Sequence, residues 1–252
     1  MLKTTASRLA LVLVAGFAAA TLPTLSSTAG VIPLKNAAMI DKKGGGYLYR
    51  AGQQNSHLTV SRVSGGLKFV DTGTRELRRI PSSCHRISVS GGIGAICSAG
   101  GASANHPMKL QIWPRLGDDY INASSLSSAF KLSVLADAGR DTVYGGAGND
   151  FVNGAQDGDR VYGGGGKDWI RTGIGNDSIS GGSGNDKLVG VEGSDTVRGG
   201  DGNDYVYGGD GSDHVYGDGG TDRVSCGGGH DRGYGGRSDK MYECEAVTRS
   251  GS

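Results

Sequence analysis

Eleven aspartates recur every nine residues in the second half of the chain, and their spacing points to one kind of chemistry. Written in lines of nine from Ala136, the sequence keeps register without insertion as far as Tyr234, and the sixth residue of every line is aspartate. Carboxylate oxygens are preferred ligands of hard divalent cations, so these residues are candidate metal ligands. They are Asp141, Asp150, Asp159, Asp168, Asp177, Asp186, Asp195, Asp204, Asp213, Asp222 and Asp231.

The eighth residue of the line is aliphatic in ten of the eleven lines, and the exception is Gly233. Glycine is frequent at the first, second and fourth places, where it permits positive φ and leaves carbonyl groups uncovered. Each line is therefore predicted to form a six-residue turn and a three-residue strand with one inward side chain. The aliphatic residues are Val143, Val152, Val161, Ile170, Ile179, Leu188, Val197, Val206, Val215 and Val224.

Two such lines would close one coil of eighteen residues, so that each line stacks on the second line after it. Stacked strands lie about 4.8 Å apart, which would bring Asp195 and Asp213 face to face. Two ionised carboxylates at that distance repel each other unless a cation lies between them. Calcium–oxygen distances of about 2.3 to 2.6 Å suit this spacing, whereas magnesium prefers about 2.0 to 2.1 Å and a stricter octahedron.

The lines resemble the hemolysin-type, or RTX, nonapeptide repeat GGxGxDxUx, in which U is a large aliphatic residue. An earlier line, PRLGDDYIN at 114–122, has Gly117, Asp119 and Ile121 in the matching places. The resemblance implies an all-β protein: a right-handed parallel β-roll, or β-solenoid, with a small β-rich N-terminal cap or domain. It also implies that the roll folds on binding several Ca²⁺ ions between successive turns.

The resemblance further implies which atoms hold the ions, namely the sixth-position carboxylates and backbone carbonyls near the glycines. One edge would pair Asp141, Asp159, Asp177, Asp195, Asp213 and Asp231, and the other Asp150, Asp168, Asp186, Asp204 and Asp222. The carbonyls would lie around Gly145, Gly148, Gly163, Gly166, Gly181, Gly184, Gly199, Gly202, Gly208 and Gly211. These edges allow at most about nine ions. Thr172, Val191, Asp218 and Asp157 replace glycines, which leaves the number of filled sites open.

The composition favours folding that depends on metal. Of 252 residues 48 are glycine, and only 36% are hydrophobic and 6% aromatic, which is poor material for an ordinary core. Ten inward aliphatic side chains do not offset the conformational entropy of ordering the array. The metal-free array is therefore expected to be largely disordered.

The N-terminus and the cysteines predict a secreted, extracellular protein. Lys3 and Arg8 precede the apolar run Leu9–Ala20, which is typical of a signal peptide and too short for a spanning helix. Cleavage after Ala20 or after Ala29 fits, and 1–29 is taken as the signal. Outside the cytosol four cysteines indicate disulfides, and the shorter-loop choice among three connectivities pairs Cys84 with Cys97 and Cys226 with Cys244. No C-x-x-C spacing is present, so zinc is not expected.

The mature chain divides into a basic front and an acidic back. The predicted N-terminal cap or domain, 30–113, has eleven Lys and Arg against three acids, whereas 114–252 has thirteen against twenty-two. HLTVSRV and GLKFVDT are predicted to form a hairpin in the front region. The roll is assigned to 114–234, with the main array at 136–234 and an insertion at 123–135. A C-terminal cap and tail follow at 235–252, where Asp239 falls one place early and is not expected to be a ligand.

The sequence favours a non-enzyme with a structural or surface-interaction role. It contains no H-E-x-x-H or G-x-S-x-G motif, and the five histidines have no metal-binding spacing. A divergent small hydrolase remains an alternative, as does a polyanion binder that uses the front region. The basic residues of that alternative are Lys42, Lys43, Arg78, Arg79 and Arg86.

Other partners are only partly constrained. The ninth-position tyrosines are predicted to pack as a ladder on an exposed strand, with a stacking platform for sugars as the alternative. A cell-surface or carbohydrate partner stays open, as does the oligomeric state, with a monomer as the default. No specific nucleic acid and no membrane span after removal of the signal are expected. The tyrosines are Tyr144, Tyr162, Tyr207, Tyr216 and Tyr234.

Overall fold

A computed structural model describes residues 37–52, 55–64 and 66–249. The predicted signal segment, 1–29, lies outside the described residues. All regular structure in the described ranges is β-strand, and these ranges include no helix that could cross a bilayer. The prediction of an all-β chain is confirmed.

The front of the chain contains eight strands, most of them paired antiparallel. The strands are β1 (Ala37–Lys43), β2 (Gly46–Arg50), β3 (His57–Val63), β4 (Gly66–Asp71), β5 (Glu76–Arg79), β6 (Cys84–Ile87), β7 (Ile93–Ser98) and β8 (Met108–Arg115). The predicted hairpin is β3 and β4, whose register runs from Leu58 opposite Asp71 to Val63 opposite Gly66.

Fifteen further strands follow in the repeat region and the tail. They are β9 (Tyr120–Asn122), β10 (Phe130–Ala136), β11 (Thr142–Tyr144), β12 (Phe151–Gln156), β13 (Arg160–Gly165), β14 (Trp169–Ile174), β15 (Ser178–Ser183), β16 (Lys187–Glu192), β17 (Thr196–Asp201), β18 (Tyr205–Gly211), β19 (His214–Gly219), β20 (Arg223–Gly229), β21 (Arg232–Gly235), β22 (Lys240–Tyr242) and β23 (Ala246–Arg249).

These strands form two parallel sheets, because each strand pairs with the second strand after it. Even-numbered strands from β8 to β22 form the first sheet, and odd-numbered strands from β9 to β23 form the second. Ile179 lies opposite Val197 and Val197 opposite Val215, a register of eighteen residues. The chain is thus a parallel β-solenoid of about eight coils, as the spacing of the aspartates predicts.

The core of the solenoid consists of two facing files of eighth-position aliphatic side chains, one from each sheet. All ten are at most 1% exposed. The strands are longer than the predicted three residues, because the second and third positions of the next line also pair with the neighbouring coil. Gly164 lies opposite Gly182 and Gly165 opposite Ser183, which lengthens β13 and β15 to six residues.

The segment 123–135, predicted as an insertion, contains most of β10, which lies in the first sheet between β8 and β12. Leu132 and Val134 of this strand are buried with the solenoid core. The departure from the nine-residue pattern therefore falls in the connection from β9 to β10, and the coil itself is retained.

The front strands continue both sheets and cover one end of the solenoid. The first sheet runs on from β8 to β2, β1 and β5, and the second runs on from β9 to β3, β4, β7 and β6. Tyr47, Tyr49 and Phe69 fill the wider interior, with Tyr49 and Phe69 stacked at 6.4 Å between ring centroids. The antiparallel strands thereby close a core that a repeating coil would leave open.

Both predicted disulfides are present. Cys84 and Cys97 join β6 to β7, where the two residues are direct cross-strand partners. Cys226 occupies a first position in the array and is fully buried, and its bond to Cys244 ties the last coils to the tail beyond β22. Each end of the solenoid is thus covalently cross-linked.

Candidate metal sites along the turns

The eleven repeat aspartates are buried in two rows, one along each turn edge of the solenoid. None is more than 4% exposed, although each lies in a turn rather than in the apolar core. Their grouping follows the predicted alternation, since each row contains the aspartates of every second nine-residue line. Asp119 extends one row towards the front of the chain, and Asp239 extends the other towards the tail.

One oxygen of each carboxylate is fixed by a hydrogen bond between coils. The backbone N–H of Asp177 donates to Asp195 Oδ1 at 2.8 Å, and that of Asp195 donates to Asp213 Oδ1 at 2.8 Å. The same bond recurs at 2.7 to 2.9 Å along both rows from Asp141 to Asp231 and from Asp150 to Asp222. Each carboxylate is therefore held in one orientation by the preceding coil.

The second oxygen of these carboxylates is buried and has no hydrogen-bond donor among the described residues. Asp150 is an exception, because the Gly146 N–H donates to its Oδ2 at 2.8 Å. Buried carboxylate oxygens normally have partners, since their desolvation is costly. The unpartnered Oδ2 atoms belong to Asp119, Asp141, Asp159, Asp168, Asp177, Asp186, Asp195, Asp204, Asp213, Asp222 and Asp231.

Where the first position is glycine, the unpartnered Oδ2 faces a backbone carbonyl of the next coil. The absence of a side chain on the glycine keeps a small space open between the two oxygens. A methyl group on Gly199 would lie 2.5 Å from Asp204 Oδ2 and 2.5 Å from the carbonyl oxygen of Gly217. Any other residue there would fill the space between the two oxygens. The same arrangement recurs at Gly163, Gly181, Gly190 and Gly208.

This donor set fits a hard divalent cation. Carboxylate and carbonyl oxygens suit Ca²⁺ or Mg²⁺, whereas zinc sites use histidine and cysteine. Within the part of the chain that the structure describes, no three His, Cys, Asp or Glu side chains converge as in a site built from side chains alone. The missing ligands would therefore come from the backbone, as the exposed carbonyls of the glycine turns allow.

The predicted carbonyl groups divide into two kinds. Those of Gly163, Gly181, Gly199 and Gly208 lie beside an aspartate Oδ2 of the preceding coil. The carbonyl of Gly145 instead lies near the Gly164 backbone. The fourth-position carbonyls of Gly148, Gly166, Gly184, Gly202 and Gly211 point at the fourth residue of the next coil.

The substituted turns keep their backbone conformation but differ in the space beside the carboxylate. Ala155, Asp157, Val191 and Asp218 all adopt the positive φ of the glycines they replace. Thr172 is different, because it occupies a first position and is fully buried, with Oγ1 3.4 Å from the Gly190 carbonyl oxygen. Its side chain takes up space that glycine leaves open at the other sites.

Burial raises the pKa of the ten repeat carboxyls from Asp141 to Asp222. The pKa is raised to about 8 at Asp159 and Asp168 and to about 6 at Asp204 and Asp222. At Asp195 it is raised to about 7, first by burial and then by the charges of Asp177 and Asp213, against the backbone hydrogen bond. The metal-free rows are therefore unfavourable places for ionised carboxylates.

Asp239 is placed differently from expectation. Its line is one residue short, but the turn absorbs the difference, so that Asp239 Oδ1 accepts from the Asp222 N–H at 3.1 Å. Its Oδ2 accepts from Gly236 at 2.6 Å and faces the same space beside Gly217 as Asp222 Oδ2. In the sequence, the glycine pair that opens this line and the aspartate that ends its turn were the signals that Asp239 belongs to the row.

Two further carboxylates complete the other row, and sequence reasoning did not assign them as site residues. Asp119 Oδ1 accepts from the Ser56 N–H, and the Asp119 N–H donates to Asp141 Oδ1 at 2.8 Å. At the far end Glu245 Oε2 accepts from the Asp231 N–H at 2.6 Å. The row thus runs from the front strands to the tail without a break.

A fifth-position asparagine ladder also stabilises the turns. Asn149 and Asn176 each accept a hydrogen bond from the backbone N–H eighteen residues later, at 2.9 and 2.8 Å. Asn185 and Asn203 do the same at 2.9 and 2.8 Å. Asparagine beside the aspartate in several lines was the sequence signal for this ladder.

Asp71 in β4 shows how the front of the protein satisfies a buried carboxylate without an ion. It is 1% exposed and accepts hydrogen bonds from five groups. The donors are the Tyr49, Ser56 and Thr74 hydroxyls and the backbone N–H groups of His57 and Gly73. Protein donors here do what a cation would do in the repeat rows.

Taken together, the fold and the two rows define a cation-binding parallel β-solenoid. Residues 133–224 match the family model of the RTX calcium-binding nonapeptide repeat in four overlapping copies, at 133–161, 153–188, 162–197 and 189–224. This part of the chain is an RTX calcium-binding repeat array. Comparison with curated proteins and with solved structures gave no match.

Replacing one row carboxylate should reduce the amount of bound calcium. Asp195→Asn retains an oxygen that can accept from the Asp177 N–H but removes the charge beside the Gly208 carbonyl. Equilibrium dialysis against Ca²⁺ should show at least one ion fewer per chain. Asp201→Asn, at an exposed third position, is the matched control and should bind as many ions as the wild type. Equal stoichiometry in the Asp195 variant would contradict the assignment.

Acid should stabilise the metal-free array. The folded pKa values of about 6 to 8 exceed the ordinary aspartate pKa of 3.8, so the folded form binds more protons than the unfolded form between about pH 4 and 8. The resulting stability is present below about pH 4 and is lost as the pH rises through 6 to 8. Far-ultraviolet circular dichroism in chelator should show more β-structure at pH 5 than at pH 8. More β-structure at pH 8 would show that the carboxyls are not protonated in the folded form.

Proposed function

We propose that this chain is a secreted calcium-binding protein whose array folds into a β-roll when Ca²⁺ binds between stacked turns. Its role is structural or surface-interacting rather than enzymatic. The observation that carries the proposal is the two rows of buried, unpartnered Oδ2 atoms, which face a backbone carbonyl of the next coil where the first position is glycine, as at Asp168, Asp186, Asp195, Asp204 and Asp213.

Calcium supplies what the rows lack. Each ion offsets the repulsion between carboxylates eighteen residues apart and satisfies the oxygen that receives no hydrogen bond. At about ten times its dissociation constant, each site adds roughly 1.4 kcal/mol to the stability of the folded state. Several sites acting together supply stabilisation that the two files of aliphatic side chains do not, so folding and binding are coupled.

The residues that hold the ions are the repeat aspartates, through Oδ2, and the carbonyls of the next coil. The two rows offer at most about nine intervals, where an interval is the gap between two stacked aspartates eighteen residues apart that could hold one ion. Intervals with glycine in the first position, such as those beside Asp186 and Asp204, bind most tightly in this proposal. The interval beside Asp177 binds less tightly, because Thr172 narrows it. Calcium is favoured over magnesium, because carbonyl-rich sites of this kind suit a larger ion with flexible geometry.

Export is supported by the disulfides. Cross-links at both ends of the solenoid form and persist in an oxidising compartment. The signal-like sequence at 1–29 and a site type suited to a calcium-rich medium agree with this location. Release from the cell is the proposed outcome.

A non-enzymatic role is supported by where the histidines lie. His57 packs against Tyr120 with 5.5 Å between ring centroids, and His214 lies 6.2 Å from Tyr234. Both are on strands of the second sheet, where they pack as ordinary surface residues. The hydrolase alternative has no observation in its favour.

The polyanion alternative based on the front region is weakened by local ion pairs. Arg79 lies 2.7 Å from Asp41, and Arg78 lies 3.1 Å from Glu76. Arg86 belongs to the second sheet, whereas Lys42, Lys43, Arg78 and Arg79 belong to the first. The five residues therefore do not form one basic surface.

A calcium titration followed by far-ultraviolet circular dichroism tests the proposal. Wild-type protein lacking the signal should pass cooperatively from a largely disordered form to β-structure with Ca²⁺, and Mg²⁺ should not reproduce the change. Asp177→Ala/Asp195→Ala should require several-fold more calcium. Asp201→Ala/Asp210→Ala removes two exposed acids and should behave as wild type. Full β-structure in chelator, unchanged by calcium, would refute the proposal.

A further inference from the structure

The outward face of the first sheet between β14 and β22 carries an unusual combination of side chains. We call it the basic aromatic face and define it by Trp169, Arg171, Lys187, Tyr205, Arg223 and Lys240, all of which are exposed. They occupy the seventh and ninth positions, which alternate with the buried eighth position. The face is outside the calcium rows and has no part in the solenoid core.

Cations and aromatic rings alternate along the axis of the roll. Trp169 lies opposite Lys187, Lys187 opposite Tyr205, and Tyr205 opposite Arg223. Lys187 Nζ is 5.2 Å from the Trp169 ring centroid, and Arg223 Cζ is 5.9 Å from that of Tyr205. Tyr205 therefore lies between two cations, whereas Trp169 has Lys187 on one side and the edge-on ring of Phe151, 5.0 Å between centroids, on the other.

The face is positive although the array as a whole is acidic. Among the outward seventh and ninth positions from β12 to β22 there is no acidic residue, although Glu192 and Asp210 are exposed towards the ends of β16 and β18 and Glu243 is exposed just beyond β22. In the described ranges no carboxylate lies within ion-pair distance of Arg171, Lys187, Arg223 or Lys240. The acids are collected in the turns, where bound calcium would offset their charge.

The second sheet also places a cation over a ring, with Arg198 Cζ 4.0 Å from the Tyr216 centroid, but its tyrosines are arranged differently. Tyr144 stacks on Tyr162 at 4.8 Å and Tyr216 on Tyr234 at 4.4 Å, so their ring faces are covered by each other. Arg198 is paired with Asp218 at 3.2 Å. This sheet therefore serves as an internal comparison with similar residue types.

We propose that the basic aromatic face binds an acidic polysaccharide that lies along the roll axis. Its sugar rings would pack against Trp169 and Tyr205, and its acidic groups would pair with Lys187 and Arg223. Like side chains recur every second strand, about 9.6 Å apart, which is close to the repeat of a disaccharide unit with one acidic group. Single-stranded nucleic acid also binds surfaces that combine cations with aromatic rings, so it is the competing ligand that the test must separate. The inference rests on the proposed function, because the face exists only in the folded, calcium-loaded roll.

Isothermal titration of calcium-loaded protein with hyaluronan oligosaccharides at low salt tests the inference. Carboxyl-reduced hyaluronan is the neutral probe, and oligodeoxythymidylate is the nucleic-acid probe. We expect hyaluronan to bind, the neutral form to bind more weakly, and added salt to weaken binding. Tighter binding of oligodeoxythymidylate, or no binding of hyaluronan, would overturn the proposal.

Variants locate the surface. Lys187→Ala/Arg223→Ala should weaken hyaluronan binding about tenfold, because it removes two exposed charge pairs with carboxylates of the polysaccharide. Trp169→Ala/Tyr205→Ala should also weaken it, which a purely electrostatic surface would not require. Arg160→Ala/Arg232→Ala removes two exposed arginines from the same repeat position on the second sheet and should leave affinity unchanged. An equal loss in this control would overturn the assignment to the first sheet.

The calcium-induced circular dichroism change of each variant separates the two proposals. Variants that fold with calcium as the wild type does, yet lose hyaluronan binding, support the basic aromatic face. Wild-type protein that folds with calcium and does not bind hyaluronan refutes this inference alone. Wild-type protein with β-structure that is independent of calcium refutes the proposed function, whatever it binds.

Discussion

The structure depends on a carboxylate that is only half satisfied by the protein. In each turn one aspartate oxygen accepts the N–H of the coil before, and this bond sets the stacking of the coils. In every repeat turn except that of Asp150, the other oxygen is buried and has no donor among the described residues, and beside a first-position glycine it faces a backbone carbonyl. A buried carboxylate oxygen and a buried carbonyl oxygen that face one another favour a cation between them. The hydrogen bond to Oδ1 that stacks the coils therefore also orients Oδ2 for metal binding. The strict spacing of the aspartates follows from these two roles of one side chain.

The ends of the solenoid show what replaces a cation where the repeat stops. At the front, Asp71 is surrounded by five protein donors, and the sheets widen around Tyr47, Tyr49 and Phe69. At the back, Asp239 and Glu245 accept the last N–H groups of the two rows, and the Cys226–Cys244 bond holds the tail against the final coils. In the proposed account, the ends of the solenoid fold without metal and the middle requires it.

Much of the fold could be predicted from the sequence, because a period of nine with an aliphatic eighth residue determines both the coil length and the inward face. The disulfides followed from loop length, and the two aspartate rows from simple alternation. The segment 123–135 could not be predicted as part of a coil, since Leu132 replaces the sixth-position aspartate and β10 pairs with β8 at a separation of twenty-two residues, although Val134 lies opposite Val152 at eighteen. The place of Asp239 was missed because the turn absorbs a deleted residue. The separation of the carboxylate oxygens into a bonded and an unpartnered atom depends on three-dimensional packing, which spacing does not reveal.

Hydrogen exchange measured by mass spectrometry in calcium and in chelator tests the central claim most directly. In calcium, the amides of the row aspartates between Asp141 and Asp231 should exchange slowly, because each donates to the next coil. In chelator at pH 8, the same segments should exchange almost as fast as an unfolded chain, while the disulfide-linked strands β6 and β7 of the front keep their protection. Equal protection of the repeat segments in calcium and in chelator would show that the half-satisfied carboxylates do not require a cation, and would contradict the account.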